Sequence, residues 1–162
     1  MPPERSAAAP AGPPAAPLAV IDTNIWLDLY VFADAAAQGL ARCLADGRLR
    51  PVRSDPTDAE LRLVLARPAF AQRSAALGPE PLRAWEELAT RITPQRAAPW
   101  ICRDPDDQKF LDLAYDAGAA LLFTKDRALL SLARRARGAG LAIRIPRDYP
   151  PAEGGPAAIG YR

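Results

Sequence analysis

The sequence predicts an α/β protein in which a mostly parallel, twisted sheet is covered by helices on both faces, a three-layer α/β/α arrangement. Three observations predict it. Short apolar runs of strand length alternate with stretches of helical spacing. The runs are apolar throughout rather than at every second residue, as expected of parallel strands buried on both faces. The 162 residues, 49% hydrophobic and 25% charged, have ordinary globular composition for one domain. A chain of that size can bury roughly 70% of its unfolded surface.

Residues 1–17 carry prolines at 2, 3, 10, 13, 14 and 17 among alanines. That density precludes a helix or the apolar core of a signal peptide, and predicts a disordered Pro/Ala-rich tail. Leu18-Ala19-Val20-Ile21 is a strand that stops at Asp22. Helical spacing follows over 24–32 and again over 35–44, before Gly47. Residues 49–53 form a weak strand, marred by Pro51. Asp55-Pro56 opens a helix with proline at its first position, which runs to Ala66 and is ended by Pro68. A further helix covers 79–91. Asp104-Pro105-Asp106-Asp107 opens a strong helix closed at Gly118. Residues 119–124 are a buried strand, 125–137 a helix and 141–145 a last strand. From 146 to 162, Pro150-Pro151, Gly154-Gly155 and Pro156 break regular structure, so that stretch is a Pro/Gly-rich C-terminal tail and the folded body is 18–145.

Composition restricts the chemistry. There is no histidine, which removes imidazole as base, acid or metal ligand. Cys43 and Cys102 are too few and too far apart for a thiolate metal site, and suit a reducing, cytoplasmic compartment. No apolar run approaches the roughly 20 residues that cross a bilayer, so a soluble protein with no membrane partner is expected. The formal charge of +2, from 21 basic and 19 acidic side chains, selects no partner. Chemistry must run on carboxylates, hydroxyls and amines, with or without a bound hard cation.

Ligands of open α/β sheets bind outside the carboxyl ends of the strands. Asp22 ends the first strand, Asp126 follows the 119–124 strand, and Asp107 and Glu60 lie in the first and second turns of their helices. All four would gather on one rim. Asp107 precedes Phe110, Leu111 and Ala114 by three, four and seven residues and so shares their face, whereas Asp106 and Asp112 point elsewhere. Glu60 likewise precedes Leu63 and Val64, while Asp58 fits that face less well. Carboxylates turned toward a core cost several kcal/mol unless neutralised or paired. A divalent cation resolves the conflict, and an all-oxygen site suits Mg²⁺ or Mn²⁺. Each acid also has a plainer reading. Asp107 and Asp126 can be helix-start acids, Asn24 an N-cap, and Glu60 a half-buried surface residue.

Val20-Ile21-Asp22-Thr23-Asn24-Ile25-Trp26-Leu27 is similar to the opening strand and turn of PIN domains. The stretch from Cys102-Arg103-Asp104-Pro105 through Asp106-Asp107-Gln108-Lys109-Phe110-Leu111 resembles the third motif of one branch, the VapC-like toxins of type II toxin–antitoxin systems. Leu122-Phe123-Thr124-Lys125-Asp126 resembles the fourth motif. Ala59-Glu60-Leu61, followed by Val64-Leu65-Ala66-Arg67-Pro68-Ala69-Phe70, is similar to the second. The resemblance spans about 18–145, in order.

It implies a PIN-like fold and a metal-dependent ribonuclease cutting single-stranded RNA with metal-activated water. Asp22, Asp107 and Asp126 would hold Mg²⁺ or Mn²⁺, and Glu60 would hold a second ion or orient the water. Thr23, Asn24, Thr124 and Asp104 would support them by hydrogen bonding, with Asp104 favoured as a helix cap. One departure stands out: many relatives carry another aspartate two residues after the fourth-motif acid, where this chain has Ala128. Arg62, Arg127 and Arg134 are candidates for contact with single-stranded or structured RNA, or else belong to a solvated basic face. An antitoxin protein and a second copy of the chain are candidate partners. The alternative is a non-catalytic RNA-binding or protein-interaction module on the same fold.

Overall fold

A computed structural model of the chain describes residues 14–150. The tail expected at 1–17 therefore lies mostly outside the described residues, as does the C-terminal stretch beyond 150. The described part contains one five-stranded, all-parallel sheet: β1 (Leu18–Ile21), β2 (Arg50–Arg53), β3 (Thr90–Arg91), β4 (Leu121–Phe123) and β5 (Ala142–Arg144), in the order β3-β2-β1-β4-β5. The chain first winds outward from β1 to β3. Between β1 and β2 run α1 (Thr23–Tyr30) and α2 (Gln38–Ala45); between β2 and β3 run α3 (Asp55–Leu65), α4 (Pro68–Leu77) and α5 (Glu80–Leu88). It then crosses back through α6 (Gln108–Ala117) to β4, and reaches β5 by way of α7 (Arg127–Leu130) and α8 (Ala133–Arg137).

Alternate strand residues feed two cores. Ala19, Ile21, Leu121 and Phe123 pack with Ile25, Trp26, Leu40, Leu44, Leu61 and Trp85 on one face. Val20, Val52, Leu122 and Ile143 pack with Phe110, Leu111, Leu129 and Ala136 on the other. This is the three-layer arrangement the apolar runs predict, and each fully buried Leu or Phe contributes about 1.5–3 kcal/mol. Because the winding reverses between β1 and β4, the switch point of the sheet lies between their carboxyl ends. Among the described residues no helix is long and apolar enough to cross a membrane.

The strand expected at 49–53 forms as β2, with Pro51 inside it and paired with Ala19, while several other elements differ from expectation. The Arg50 N–H faces Pro17 on the β1 side, so the donor that proline lacks would face the β3 side, where pairing begins only at Val52. Pro68 does not simply end α3; it opens α4, a helix with no buried residue and hence no periodic apolar signal. The helix expected over 79–91 stops at Leu88, and Thr90–Arg91 form a two-residue edge strand instead. The 35–44 helix begins as a 3₁₀ turn, Ala35–Ala37. The 125–137 helix is broken into α7 and α8, where the Ser131 hydroxyl donates to the Ala128 carbonyl at 2.7 Å and competes for the helical ladder.

The fold does not stop at 145. Pro146–Asp148 form a 3₁₀ turn, and the Tyr149 ring packs edge-on against Phe123 with centroids 5.1 Å apart. The Tyr149 carbonyl comes so close to Gly39 of α2 that a Cβ there would lie 2.2 Å from it.

Candidate active site

The site is built at the switch point. Asp22 follows β1 and its N–H donates to the Phe123 carbonyl at 3.0 Å, which continues the β1–β4 ladder by one residue. That places Thr124 beside it, and the Thr124 hydroxyl donates to Asp22 Oδ2 at 2.6 Å. Thr124 Oγ1 in turn accepts the Asp126 N–H at 2.9 Å, so one buried hydroxyl ties both aspartates to the end of β4. Asp126 is the N-cap of α7: its Oδ1 accepts from the N–H groups of Ala128 and Leu129 at 2.7 and 3.2 Å, which leaves Oδ2 for the site.

Glu60 approaches from α3. The Thr23 hydroxyl donates to Glu60 Oε2 at 2.5 Å, and Lys109 Nζ lies 3.0 Å from Oε1. The helical-phase reason for Glu60 needs correction. Leu63, assigned to the same inward face, is 70% exposed, and α3 buries Thr57, Asp58, Leu61 and Val64. Asp58, set aside by that argument, is buried and ion-paired with Arg53 at 2.5 Å. Glu60 is half-buried because of Thr23 and Lys109, not because of an apolar stripe.

Asp107 sits at the junction of the 3₁₀ turn Pro105–Asp107 with α6. Its carboxyl is pushed up to about 7, first by burial and then by the charges of Asp126, Asp22, Asp104 and Glu60. Asp22 is also raised above the ordinary aspartate value. Burial is the main cause; the Thr124 hydrogen bond opposes it, and Glu60 and Asp126 add to it. Asp104 is exposed and caps the 3₁₀ turn, its Oδ1 accepting the Asp106 N–H at 3.0 Å. Asn24 is not the N-cap of α1; that position belongs to Asp22, and Asn24 is exposed in the first turn. Ala128 is buried in the core, so the site receives no further acid there.

The arginines divide. Arg127 is exposed immediately after Asp126, at the rim. Arg62 is ion-paired with Glu86 of α5. Arg134 lies on α8, partway along the return to the amino end of β5, and so is carried away from the acids.

Sequence reasoning missed three residues around the acids. Lys109 pairs with Glu60, donates to the Asp106 carbonyl and lies over the Phe110 ring at 5.4 Å. Lys125 pairs with Asp28 at 2.6 Å. Gln108 takes the Cys102 N–H at 2.7 Å and donates to the Trp100 carbonyl and to Asp112, clamping the approach to Asp107 onto α6. A signal for the lysines was present: only these two of the chain's 21 basic residues are lysines, and each adjoins an acidic motif.

Among the described residues, no three acids have the arrangement of a pre-formed metal site. The carboxylates converge without closing. The donor set is nevertheless all oxygen, and the Asp107 carboxyl, raised by burial and then by the charges of four neighbouring acids, stands where a hard cation would be favoured. An apolar hollow of about 300 Å³, bordered by Trp26, Leu65, Leu77 and Leu82, contains none of these acids.

A family model described as PIN domain matches residues 19–128, more than half of the chain, and takes in Asp22, Glu60, Asp107 and Asp126. No curated protein matches the sequence.

Proposed function

The chain belongs to the PIN-domain family, whose fold is that of nucleases, and from that premise we propose that it is a divalent-metal-dependent endoribonuclease hydrolysing phosphodiester bonds of single-stranded RNA. The observation that carries this reading is the convergence of Asp22, Glu60, Asp107 and Asp126 on the switch point, with the Asp107 carboxyl raised to about 7 by burial first and then by the charges of its neighbours.

Asp22, Asp107 and Asp126 would hold Mg²⁺ or Mn²⁺, with Glu60 at the edge of the same group. A bound ion would supply a Lewis acid that offsets phosphate charge and lowers the pKa of water. The chain's own residues set the geometry. Thr124 fixes Asp22 through Oδ2 and fixes Asp126 through its backbone. The α7 cap holds the Asp126 carboxylate through Oδ1 and leaves Oδ2 outside the cap. Asp107, its carboxyl pushed up to about 7 by burial and by the neighbouring acids, would hold the ion as its carboxylate. Arg127 stands at the rim where a phosphodiester backbone would pass.

The test is cleavage of single-stranded RNA by the purified protein with Mg²⁺ or Mn²⁺, with chelator, and by Asp22→Asn. Ion-dependent cleavage abolished in a folded Asp22→Asn protein supports the reading; undiminished cleavage by that variant overturns the site. We further propose, on the resemblance of the third motif, that the protein is the toxin of a toxin–antitoxin pair. An antitoxin tail placing an arginine among the carboxylates would substitute for the cation's charge. Co-purification with the product of a neighbouring gene, together with loss of cleavage in the complex, would support that role. Harmless expression alone and no binding neighbour would remove it.

A further inference from the structure

Glu60 is pinned at both oxygens, Oε2 by the Thr23 hydroxyl at 2.5 Å and Oε1 by Lys109 at 3.0 Å. The pair is neither open surface nor core, with Lys109 21% and Glu60 25% exposed. Lys109 lies two residues after Asp107, and its ammonium is further oriented by the Asp106 carbonyl and the Phe110 ring. It is thus a positive charge set within a group of acids that otherwise repel one another. The choice of residue is informative in a chain whose 21 basic residues include only two lysines, Lys109 and Lys125. An arginine would clamp a carboxylate with a rigid two-pronged fork. A lysine presents a compact, strongly hydrated charge on a flexible stem, closer in size and exchangeability to a metal ion.

We propose that Lys109 is the resident counter-cation of the site: it holds Glu60 in place while no ion is bound, competes with the divalent ion for that carboxylate, and swings off when the ion arrives. This rests on the reading of the acids as an ion site. It assigns Lys109 a positioning role that acts through Glu60.

The experiment is calorimetric titration of Mn²⁺ into the full-length protein at one pH, with circular dichroism to establish that each variant is folded. Lys109→Gln removes the competitor and should bind Mn²⁺ roughly three- to tenfold more tightly than wild type. Lys109→Arg keeps the charge and grips Glu60 harder, and should bind more weakly than wild type. In a Glu60→Gln background the Lys109→Gln effect should disappear, because the coupling runs through that one carboxylate. A purely structural lysine would not produce tighter binding on removal. Unchanged or weaker binding by Lys109→Gln, or an equal gain with and without Glu60, overturns the proposal alone. Wild-type protein that binds no Mn²⁺ overturns the ion site itself, and this proposal with it.

Discussion

Two buried aspartates stand at the same rim of the sheet, one beside β1 and one beside β2, and their surroundings are opposite. Asp58 faces Arg53, whose side chain is itself only 15% exposed and whose guanidinium is held by the carbonyls of Ala89 and Glu86 as well. Asp22 faces other acids, Glu60 and Asp126, and its hydrogen bond comes from an uncharged hydroxyl. The fold therefore can neutralise an acid at this rim, and does so at Asp58. At Asp22 it does not. A buried acid with its own guanidinium is part of the scaffold; a buried acid left among like charges is poised for a ligand.

The sharpest break of that comparison is to exchange the two. Asp22→Asn should lower RNA cleavage by at least about 100-fold, while ion-free protein melts at the same temperature or higher, since a repulsion is removed. Asp58→Ala should do the reverse: it leaves Arg53 without its carboxylate, costs about 3–5 kcal/mol in denaturant unfolding, and leaves activity per folded molecule unchanged. Equal behaviour of the two in both assays would end the distinction.

Next comes the pH dependence of Asp107. Its folded-state value of about 7 lies above the ordinary 3.8, so the folded chain holds a proton that the unfolded chain releases. The stability this contributes is complete below the lower value and is lost as pH rises through the upper one. Melting temperatures of ion-free protein between those values should fall in wild type relative to Asp107→Asn. Ion affinity should rise over the same window as the competing proton leaves. A smaller effect is expected of Thr124→Val, which removes the hydroxyl shared by Asp22 and Asp126: about 1 kcal/mol of stability and on the order of tenfold in cleavage. Smallest of all are Asp106→Asn and Asp112→Asn. Asp106 is exposed, and Asp112 uses one oxygen to accept from Ala98 and Gln108, a role an asparagine oxygen can take over, so cleavage by both variants should match wild type.

What was legible in the sequence follows the strength of the local signal. β1 and β4 are continuous apolar runs at the centre of the sheet, and the residues that end them, Asp22 and Thr124, are placed by strand geometry alone. Gly118, left-handed at φ 65, marks the end of α6 as a glycine should. β3 was hidden because two exposed residues at an edge carry no pattern, and α4 because nothing in it is buried. Glu60 was picked for a helical phase that the exposure of Leu63 contradicts; its placement comes from Thr23 and Lys109, contacts at separations of 37 and 49 residues that no local period encodes. The pairing of Asp58 with Arg53 hid for a related reason. An acid on a helix and a basic residue on the preceding strand look alike whether they meet or not.

The contact of Gly39 with the Tyr149 carbonyl makes position 39 a wedge point. Any side chain there must prise the 146–149 segment off α2. The far side of that segment is the Tyr149 ring lying on Phe123, the residue directly before Thr124. A single added methyl on a helix that supplies no acid to the rim would thus be felt, through one carbonyl, one ring and one strand residue, at the hydroxyl that aligns Asp22.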